Sequence, residues 1–375
     1  MNRSLSLAVA FAAMTTSTFA TDRVVSPTGT YNTISSAIAA SSDGDRVLVT
    51  SGTYAENIAL SQSVSLLANQ EGGRFTVTGS VALQNANGKS ITIAGGRILG
   101  SIYSTGNYTA RTEVRIVDSY TGSCDLDEPT IRLELYRDTV NGEVRISSGT
   151  ITGCVLYGTA FSSTIVKIQG ASSLPEDIWV VGNMIGSSTS LKKGMLINTN
   201  RTFHIENNVF IDNGSGSCSV DLAFAADQFA APSTILNNSF MKMTTESFPA
   251  VANSTGFVLN LVLKNNAVLR FNAIINNVVP WTQLVQSNNL LTAPTWINQT
   301  TGQPTVGSPL INAGDPDQRY LDLDLTTNDV GCYGGSNSRA NFITPMGSAV
   351  VGFMQAPRVV SQGDAVNIQA TGFDR

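Results

Sequence analysis

Charged residues are scarce in this sequence. Asp, Glu, Lys and Arg make up 13% of the 375 residues, the formal net charge is −5, and there is one histidine. Proteins that bind nucleic acids carry a basic surface, so this composition argues against a nucleic-acid partner. Hydrophobic residues make up 42% of the chain, which is enough for a buried core and unlike a disordered protein.

Long hydrophobic runs are also missing. A membrane-spanning helix needs about 18 or more apolar residues in succession, and no segment approaches this length. The apolar stretch at residues 5–14 follows Arg3 and precedes Thr18-Phe-Ala20, which is typical of a secretory signal peptide. We therefore predict that residues 1–20 are removed. The mature protein is expected outside the cell, in the periplasm or at the cell surface, with no transmembrane segment.

The four cysteines lack the close spacing of a metal site, because no Cys-x-x-Cys motif occurs. In an oxidising compartment Cys124 and Cys154 are near enough in sequence to form a disulfide. Cys218 and Cys332 are too far apart in sequence to judge. The alternative is that all four are small buried hydrophobic residues, and the sequence leaves both possibilities open.

What the sequence does contain is a repeat. Asn, usually doubled, stands in the middle of a short apolar run, and successive runs are 25, 30, 28 and 23 residues apart. The second Asn of each run is one of Asn183, Asn208, Asn238, Asn266 and Asn289. A feature that returns every 20–50 residues or so indicates a repeat architecture.

The residues around this Asn alternate between apolar and mixed character. Five positions before it stand Ile178, Phe203, Ser233, Leu261 and Leu284. Two positions after it stand Ile185, Phe210, Phe240, Val268 and Leu291. Such alternation is typical of a half-buried strand, and stacked coils of such strands can share one core. The pattern predicts a solenoid; the alternative is an ordinary β-sandwich whose turns contain Asn-Asn.

The repeated Asn also predicts a ladder at one corner of the solenoid. Asn tolerates the left-handed backbone conformation of a turn. Its side-chain amide can bond to the same amide in the next coil, about 4.8 Å away. We expect the second Asn of each run to take this conformation and to stack on its counterparts.

The N-terminal part carries three motifs in order. Residues 31–40 read as a short amphipathic helix with Ile34, Ala37 and Ile38 inward, and are expected to cover the first coil. They are followed by Gly44-Asp-Arg-Val-Leu-Val and by Gly52-Thr-Tyr-Ala-Glu-Asn-Ile58. Together these motifs resemble the opening of the pectin-lyase-like, right-handed parallel β-helix superfamily.

A second resemblance lies near the other end. The segments Ser308-Pro-Leu-Ile-Asn-Ala-Gly314 and Asn328-Asp-Val-Gly-Cys-Tyr-Gly334 are similar to the closing segment of many secreted bacterial β-helix proteins. The resemblance implies an all-β fold, a right-handed parallel β-helix of about ten to twelve coils over residues 21–336 with an N-terminal helix cap. Residues 337–375 are expected to form a strand appendage or cap. A shared fold does not specify an activity.

One charged constellation has catalytic potential. Asp212, Lys242 and Arg270 each follow a ladder Asn by four positions, so they are expected on successive coils. Lys242 and Arg270 resemble the Lys and Arg pair of chondroitinase-B-type and alginate-lyase-type β-helix enzymes, in which calcium neutralises the uronate. The acidic calcium ligands of those enzymes have no match here, and the alternative is a row of weak ion pairs.

The outward positions of the predicted strands offer a sparse set of candidate substrate-binding residues: Trp179, His204, Glu206 and Lys264. Glu206 is the nearest carboxylate in sequence that could orient His204. We interpret His204 as an exposed strand residue rather than a catalytic one.

The densest acidic cluster comprises Asp315, Asp317, Asp322, Asp324 and Asp329. Converging carboxylates bind calcium, but these residues do not match a known loop spacing, and Asp also caps turns. No cofactor other than this possible calcium is expected.

Two functions remain in competition. The first is a secreted, non-catalytic β-helix protein of the cell surface or matrix, structural or glycan-binding. The second is a calcium-dependent polysaccharide lyase acting on uronate polymers. Paired carboxylates for hydrolysis cannot be placed on adjacent coils, so the first is preferred.

Overall fold

The structure is a computed structural model with backbone and side chains. It describes residues 20–69, 73–158, 164–187, 193–212, 218–223, 232–242, 248–253, 260–271, 273–275, 283–339, 349–355 and 368–374. The predicted signal peptide lies outside the described residues except for Ala20.

Parallel strands stacked along one axis form three faces, which we name A, B and C. Face A is a twelve-stranded sheet. In stacking order its strands are β1 (Asp22–Val25), β2 (Arg46–Val49), β5 (Ser65–Ala68), β8 (Ser90–Ala94), β10 (Thr112–Val117), β12 (Ile131–Tyr136), β15 (Gly149–Thr152), β18 (Ile178–Val181), β21 (Phe203–Glu206), β24 (Ser233–Leu236), β27 (Asn260–Lys264) and β30 (Gln283–Ser287).

Faces B and C follow face A in each coil, and two long strands, β9 (Gly96–Thr105) and β11 (Tyr120–Leu126), contribute to both. The other strands of face B are β3 (Gly52–Tyr54), β6 (Phe75–Val77), β13 (Thr139–Val140), β16 (Val155–Gly158), β19 (Met184–Ser187), β22 (Val209–Asp212), β25 (Ser239–Lys242), β28 (Ala267–Leu269) and β31 (Leu290–Thr292). The other strands of face C are β4 (Ile58–Leu60), β7 (Val81–Gln84), β14 (Val144–Ile146), β17 (Thr164–Gly170), β20 (Lys193–Thr199), β23 (Val220–Leu222), β26 (Pro249–Asn253) and β29 (Ala273–Ile275).

The strand registers confirm the predicted columns. On face A, Ile178 pairs with Phe203, and Leu261 pairs with both Ser233 and Leu284. On face B the column that was expected to point inward pairs in the same way: Ile185, Phe210, Phe240, Val268 and Leu291. The fold is therefore all-β, a right-handed parallel β-helix as expected.

The core of the solenoid is a continuous stack of inward side chains. Phe210 and Phe240 stack on adjacent coils with ring centroids 5.0 Å apart, and both are almost fully buried. Burying such a side chain stabilises the fold by about 1.5–3 kcal/mol. Because each coil buries its apolar positions only against its neighbours, stability depends on every coil being covered on both sides.

The Asn ladder is confirmed. The side-chain oxygen of Asn208 accepts hydrogen bonds from the backbone N and Nδ2 of Asn183, both at 2.9 Å. The same pair of bonds joins Asn208 to Asn238, Asn238 to Asn266 and Asn266 to Asn289. Each Nδ2 also donates to a face A carbonyl, for example that of Val180 at 2.8 Å. The ladder thus satisfies the backbone where the chain turns from face A to face B.

The predicted backbone conformation of the ladder Asn was wrong. The left-handed residue is the one before it: Asn207, Asn237, Asn265 and Asn288 have φ of 53°, 57°, 54° and 55°. In the first run Gly182 takes this place, with φ of 68°. One residue therefore makes the turn and the next makes the ladder, because a ladder side chain has to project inward from extended backbone.

The N-terminal cap is a helix, α1 (Ile34–Ala39), within the predicted range. Ile34, Ala37 and Ile38 are buried against the first coils, as expected. Both carboxylate oxygens of Glu56 cap the helix start, accepting from the backbone N of Ile34 at 2.8 Å and of Ser35 at 2.9 Å. The motif around Tyr54 and Glu56 thus ties the second coil to the helix.

The coils end earlier than the predicted boundary at residue 336. The last coil strand, β31, ends at Thr292 and is followed by a 3₁₀ turn, Pro294–Trp296. Residues 293–339, here called the strap, run back in turns over the outside of face B. Apolar strap residues, Ile297, Leu310 and Val330, cluster with Met241 and Leu269 of face B.

The first Asn of two runs also holds the strap. Nδ2 of Asn207 donates to Oδ1 of Asn328 at 2.8 Å and to the carbonyl of Gly331 at 3.2 Å. Oδ1 of Asn237 accepts from the backbone N of Asp315 at 2.8 Å. These contacts explain Asn rather than Gly at those turns.

Beyond the strap, β32 (Ala349–Gln355) and β33 (Gln369–Asp374) form an antiparallel pair, here called the hairpin. It lies within the predicted strand appendage. Among the described residues, no helix has the length and apolar character needed to cross a membrane.

Candidate functional site

The outer surface of face A carries the predicted aromatic pair. Trp179 and His204 occupy paired positions on β18 and β21, and their rings stack with centroids 3.9 Å apart and an interplanar angle of 22°. Strand alternation projects both rings outward, and both are partly exposed. Because the rings stack along the solenoid axis, their edges rather than their faces point away from the sheet.

His204 is held by polar partners on both sides. Its Nδ1 lies 2.8 Å from Oγ1 of Thr234, and its Nε2 lies 3.3 Å from Oδ2 of Asp177. Asp177 is thus the carboxylate that contacts His204 directly, and Glu206, the nearest carboxylate in sequence, is linked to it through Thr234. Asp177 has the same alternation phase as Trp179, and this was the signal that could have identified it.

Glu206 reaches this pair through the Thr234 hydroxyl, and Lys264 lies two coils further along the same face. Glu206 lies on an outward row of face A but is only 2% exposed, and Leu236 separates it from Lys264 in that row. Its Oε1 is 3.5 Å from Oγ1 of Thr234. Lys264 is partly exposed. Three of the four candidate residues, Trp179, His204 and Glu206, are therefore connected, the last through Thr234.

The predicted charged row has the expected register at Asp212 and Lys242, whereas Arg270 lies beyond the paired residues of β28 and has a positive φ of 67°. Asp212 pairs with Lys242, and Arg270 directly follows β28, whose Leu269 pairs with Met241. Lys242 is fully buried, with Nζ 5.6 Å from the centroid of the Phe271 ring. An ammonium over an aromatic ring is a favourable contact, but a buried amine cannot reach a polymer at the surface. The side chain of Asp212 lies outside the described residues.

The acidic residues of the strap cap its own turns. Asp315 accepts a hydrogen bond from the backbone N of Asp317 at 3.0 Å, and Asp317 forms an ion pair with Arg319 at 2.8 Å. That hydrogen bond from Arg319 lowers the pKa of Asp317. Asp324 accepts from the backbone N of Thr326 at 3.1 Å.

Asp322 and Asp329 are more buried members of the same cluster. Asp322 accepts from the backbone N of Gly335 and of Asp329, and Asp329 accepts from the backbone N of Asn312 at 2.7 Å. Burial raises the pKa of Asp322 to about 6 and raises that of Asp329. Within the described ranges, no group of three or more His, Cys, Asp or Glu side chains is arranged to hold a metal ion.

The cysteines are buried, and none of the four, all of which are described, forms a disulfide. Burial raises the pKa of the Cys218 thiol to about 11 and that of Cys332 to about 12. Burial also raises the pKa of Cys124 and Cys154. Thiols in this state are unreactive, so the structure favours the hydrophobic alternative.

Sequence reasoning missed a charged network on face A. Arg115 bridges Glu113 at 3.1 Å and Glu134 at 2.6 Å, and Arg132 pairs with Glu134 at 3.1 Å. Thr112-Glu-Val-Arg and Ile131-Arg-Leu-Glu carry these charges in opposite order. Stacking the two strands therefore places opposite charges side by side. The reversed order of the charges in the sequence could have predicted this network.

A second missed network lies on face C. Arg145 lies 2.9 Å from Asp125 and 3.0 Å from Asp127, and Lys167 lies 2.8 Å from Glu143. These charges come from three successive coils, β11, β14 and β17. Both networks contain ion pairs that join neighbouring coils, such as Arg115 with Glu134 and Arg145 with Asp125.

No protein-family model matches the sequence, and no curated protein matches it. Among solved structures, that of pectate lyase Pel9A is similar over 84% of this chain and 96% of its own, with 14% sequence identity and a TM-score of 0.40. The stacked parallel strands described above form the parallel β-helix that the sequence motifs predict.

Proposed function

We propose that this is a secreted, non-catalytic β-helix protein of the cell surface or extracellular matrix, with a structural or glycan-binding role. The observation that carries the proposal is the burial of Lys242. β-Elimination needs a base within reach of the substrate proton. Lys242 was the candidate base, and its amine instead lies over the ring of Phe271 inside the protein.

The outside of face B supports the same proposal. The strap covers part of this face with its own apolar residues, including Leu310 against Leu269 and Cys332 against Val209. The strap carboxylates Asp315, Asp324 and Asp329 accept backbone hydrogen bonds within the strap itself. A polymer therefore cannot lie along the covered part of face B.

Face A is the surface best suited to a glycan. Trp179 and His204 present ring edges there, and Thr234 and Asp177 add a hydroxyl and a carboxylate beside them. Hydroxyls and carboxylates hydrogen-bond to sugar hydroxyl groups. A flat row of such groups at the coil spacing fits an extended chain better than a single small sugar.

An activity assay tests the non-catalytic part of the proposal. The purified protein is incubated with pectin, polygalacturonate and alginate, with and without calcium, and the absorbance of unsaturated products is followed. We expect no rate above background. Calcium-dependent product formation that is lost in both Lys242→Ala and Arg270→Ala would establish the alternative, a polysaccharide lyase. Because Lys242 is buried, Lys242→Met serves as a better-packed second variant.

A binding assay tests the glycan part. Affinity electrophoresis through gels containing each polymer should retard the wild type, and Trp179→Ala should reduce the retardation. Tyr157→Ala is the matched control, because Tyr157 is an exposed aromatic residue on face B. Equal retardation of all three proteins would rule out face A as the binding surface. If none of the proteins is retarded, only the structural role remains.

A further inference from the structure

The C-terminal end of the solenoid exposes positions that are buried in every preceding coil of the repeat. Leu291 stands in the inward column of Phe240 and Val268, yet it is 68% exposed. Gln286 continues the buried column that includes Leu263 and is also exposed. The inner core therefore reaches the surface at β30 and β31.

A cavity of about 210 Å³ opens at this end. Six of its eight lining residues are apolar, among them Val268, Ile275 and Leu291, and the other two are Gln286 and Asn289. An apolar cavity of about 150 Å³ can accept a benzene ring, so this cavity has room for a large apolar side chain.

No charged residue protects this end from pairing with other strands. From Phe271 to Gly314 there is no Asp, Glu, Lys, Arg or His. Exposed edge strands normally carry charges, above all Lys, that prevent pairing with another chain. An edge with an apolar cavity and no charge is typical of a surface that is covered in the working protein.

We propose that the hairpin of this chain, β32 and β33, covers the open end and fills the cavity. The hairpin has the matching chemistry: β32 reads Ala-Val-Val-Gly-Phe-Met-Gln, with no charged residue. A two-stranded sheet is marginally stable by itself in water, so the hairpin needs a surface to pack on. Among the described elements, the extensive contacts of β32 and β33 are those between the two strands themselves.

The connecting segment is long enough. The backbone carbonyl of Asn337 lies next to Gly182, in the coil that contains Met184. Four register steps, from Met184 through β22, β25 and β28, lead to Leu290 in the last coil. At about 4.8 Å per coil this distance is about 19 Å. Ser338 and Arg339 are still bonded to the strap, and residues 340–348 can span up to about 30 Å when extended.

Cross-linking in the full chain tests the proposal. Leu291→Cys is combined with Val350→Cys or with Val351→Cys, because adjacent strand residues project to opposite faces. The native thiols are buried and do not compete. After treatment with a short bis-maleimide, we expect one of the two double variants to give a monomeric product containing the Leu291 and hairpin peptides. A thermal melt verifies that each variant is folded.

Leu99 provides a control at the same distance. It is 44% exposed on β9, and four register steps separate Met184 from Arg97 in the opposite direction. A freely moving hairpin would reach Leu99 and Leu291 alike. If the hairpin covers the C-terminal end, Leu99→Cys should give about tenfold less intramolecular product than Leu291→Cys. Equal yields or no intramolecular product would overturn the proposal. Cross-linked dimers through Leu291→Cys would show instead that a second copy covers this end.

Discussion

The two ends of the solenoid are finished in different ways. At the N-terminal end, α1 covers the first coils with buried Ile34 and Ile38. There Arg23, the first residue of an inward column, donates to Asp45 at 3.0 Å and to the Tyr31 hydroxyl at 3.0 Å. At the C-terminal end the corresponding position is Gln286, which is exposed.

The difference lies in how far along the chain each terminal coil is from the segment that covers it. The N-terminal cap is local: the helix and its capping carboxylate, Glu56, lie within the first coils. The C-terminal coil precedes the strap, which turns back over face B, and the hairpin follows only after the strap. Closing that end therefore depends on a contact between segments far apart in the chain.

The largest effect is expected from a charge under the N-terminal cap. Ile34→Asp places a carboxylate at a fully buried position, which should cost about 3–5 kcal/mol. The uncovered coils would then expose apolar core and an unpaired edge. We expect a lower melting temperature and aggregation in light scattering.

The matched control for this variant is Leu99→Asp. Leu99 is 44% exposed on a middle coil, so the change should alter stability by less than about 0.5 kcal/mol. If Ile34→Asp stayed monomeric and melted like Leu99→Asp, α1 would not be a cap.

The Asn ladder should be stronger inside the solenoid than at its open end. Asn238 is fully buried and bonds to Asn208 on one side and Asn266 on the other. Asn238→Leu leaves these partners unsatisfied and should cost about 1–3 kcal/mol. Asn289 bonds to Asn266 alone within the ladder, so Asn289→Leu should cost about half as much. Chemical denaturation of both variants measures the two losses of stability. Equal losses would mean that the number of neighbours in the ladder does not determine its contribution.

A smaller effect is expected at the capping carboxylate. Glu56→Gln keeps one acceptor oxygen but removes the negative charge at the start of α1, where Glu56 bonds to the backbone N of Ile34 and Ser35. The loss should be about 1 kcal/mol. Urea denaturation of the variant, compared with Glu56→Ala, measures it. No loss in either variant would mean that the Thr33 cap and the buried side chains hold the helix without Glu56.

The smallest expected effect is on the pH dependence of stability, to which Asp45 near the N-terminus and Asp322 in the strap contribute with opposite sign. Backbone hydrogen bonds from Ser42 and Thr21 lower the pKa of Asp45. Its contribution to stability is therefore present above about pH 4, the range of an unfolded Asp, and is lost as the pH falls. Burial raises the pKa of Asp322 in the strap to about 6. As the pH falls, the Asp322 carboxyl is therefore protonated in the folded protein before it is protonated in the unfolded chain. The stability that this protonation contributes is greatest below about pH 4 and is lost as the pH rises to about 6.

Melting temperatures of the wild type, Asp45→Asn and Asp322→Asn between about pH 3 and pH 7 separate the two contributions. The difference between wild type and Asp45→Asn should grow with rising pH. The difference between wild type and Asp322→Asn should shrink. A constant difference for Asp322→Asn would mean that its carboxyl titrates normally.

The predictable parts of the fold were those set by neighbouring residues. Period-two alternation fixed the columns around Asn238, and the motif from Tyr31 to Ile58 identified the N-terminal cap. The turn residue was misplaced because a doubled Asn is ambiguous. Gly182, which precedes Asn183, already indicated that the left-handed position comes first.

The candidate site was harder to predict because burial depends on distant segments. Lys242 reads as an exposed charge in its own strand, and nothing local places Phe271 beside it. The strap that covers face B consists of turns without periodicity, so the face on which it packs cannot be inferred from spacing. By contrast, Asp177 beside His204 was within reach of the alternation rule.

In our proposal this chain closes both ends of its solenoid itself. Hydrogen exchange of the β30 amides in the full chain tests it most directly. In a parallel strand, alternate amides point to opposite neighbours, so every second amide of Gln283–Ser287 points away from β27. We predict that these amides exchange as slowly as those bonded to β27, because the hairpin covers them. Exchange at the rate of an unstructured peptide would contradict the claim.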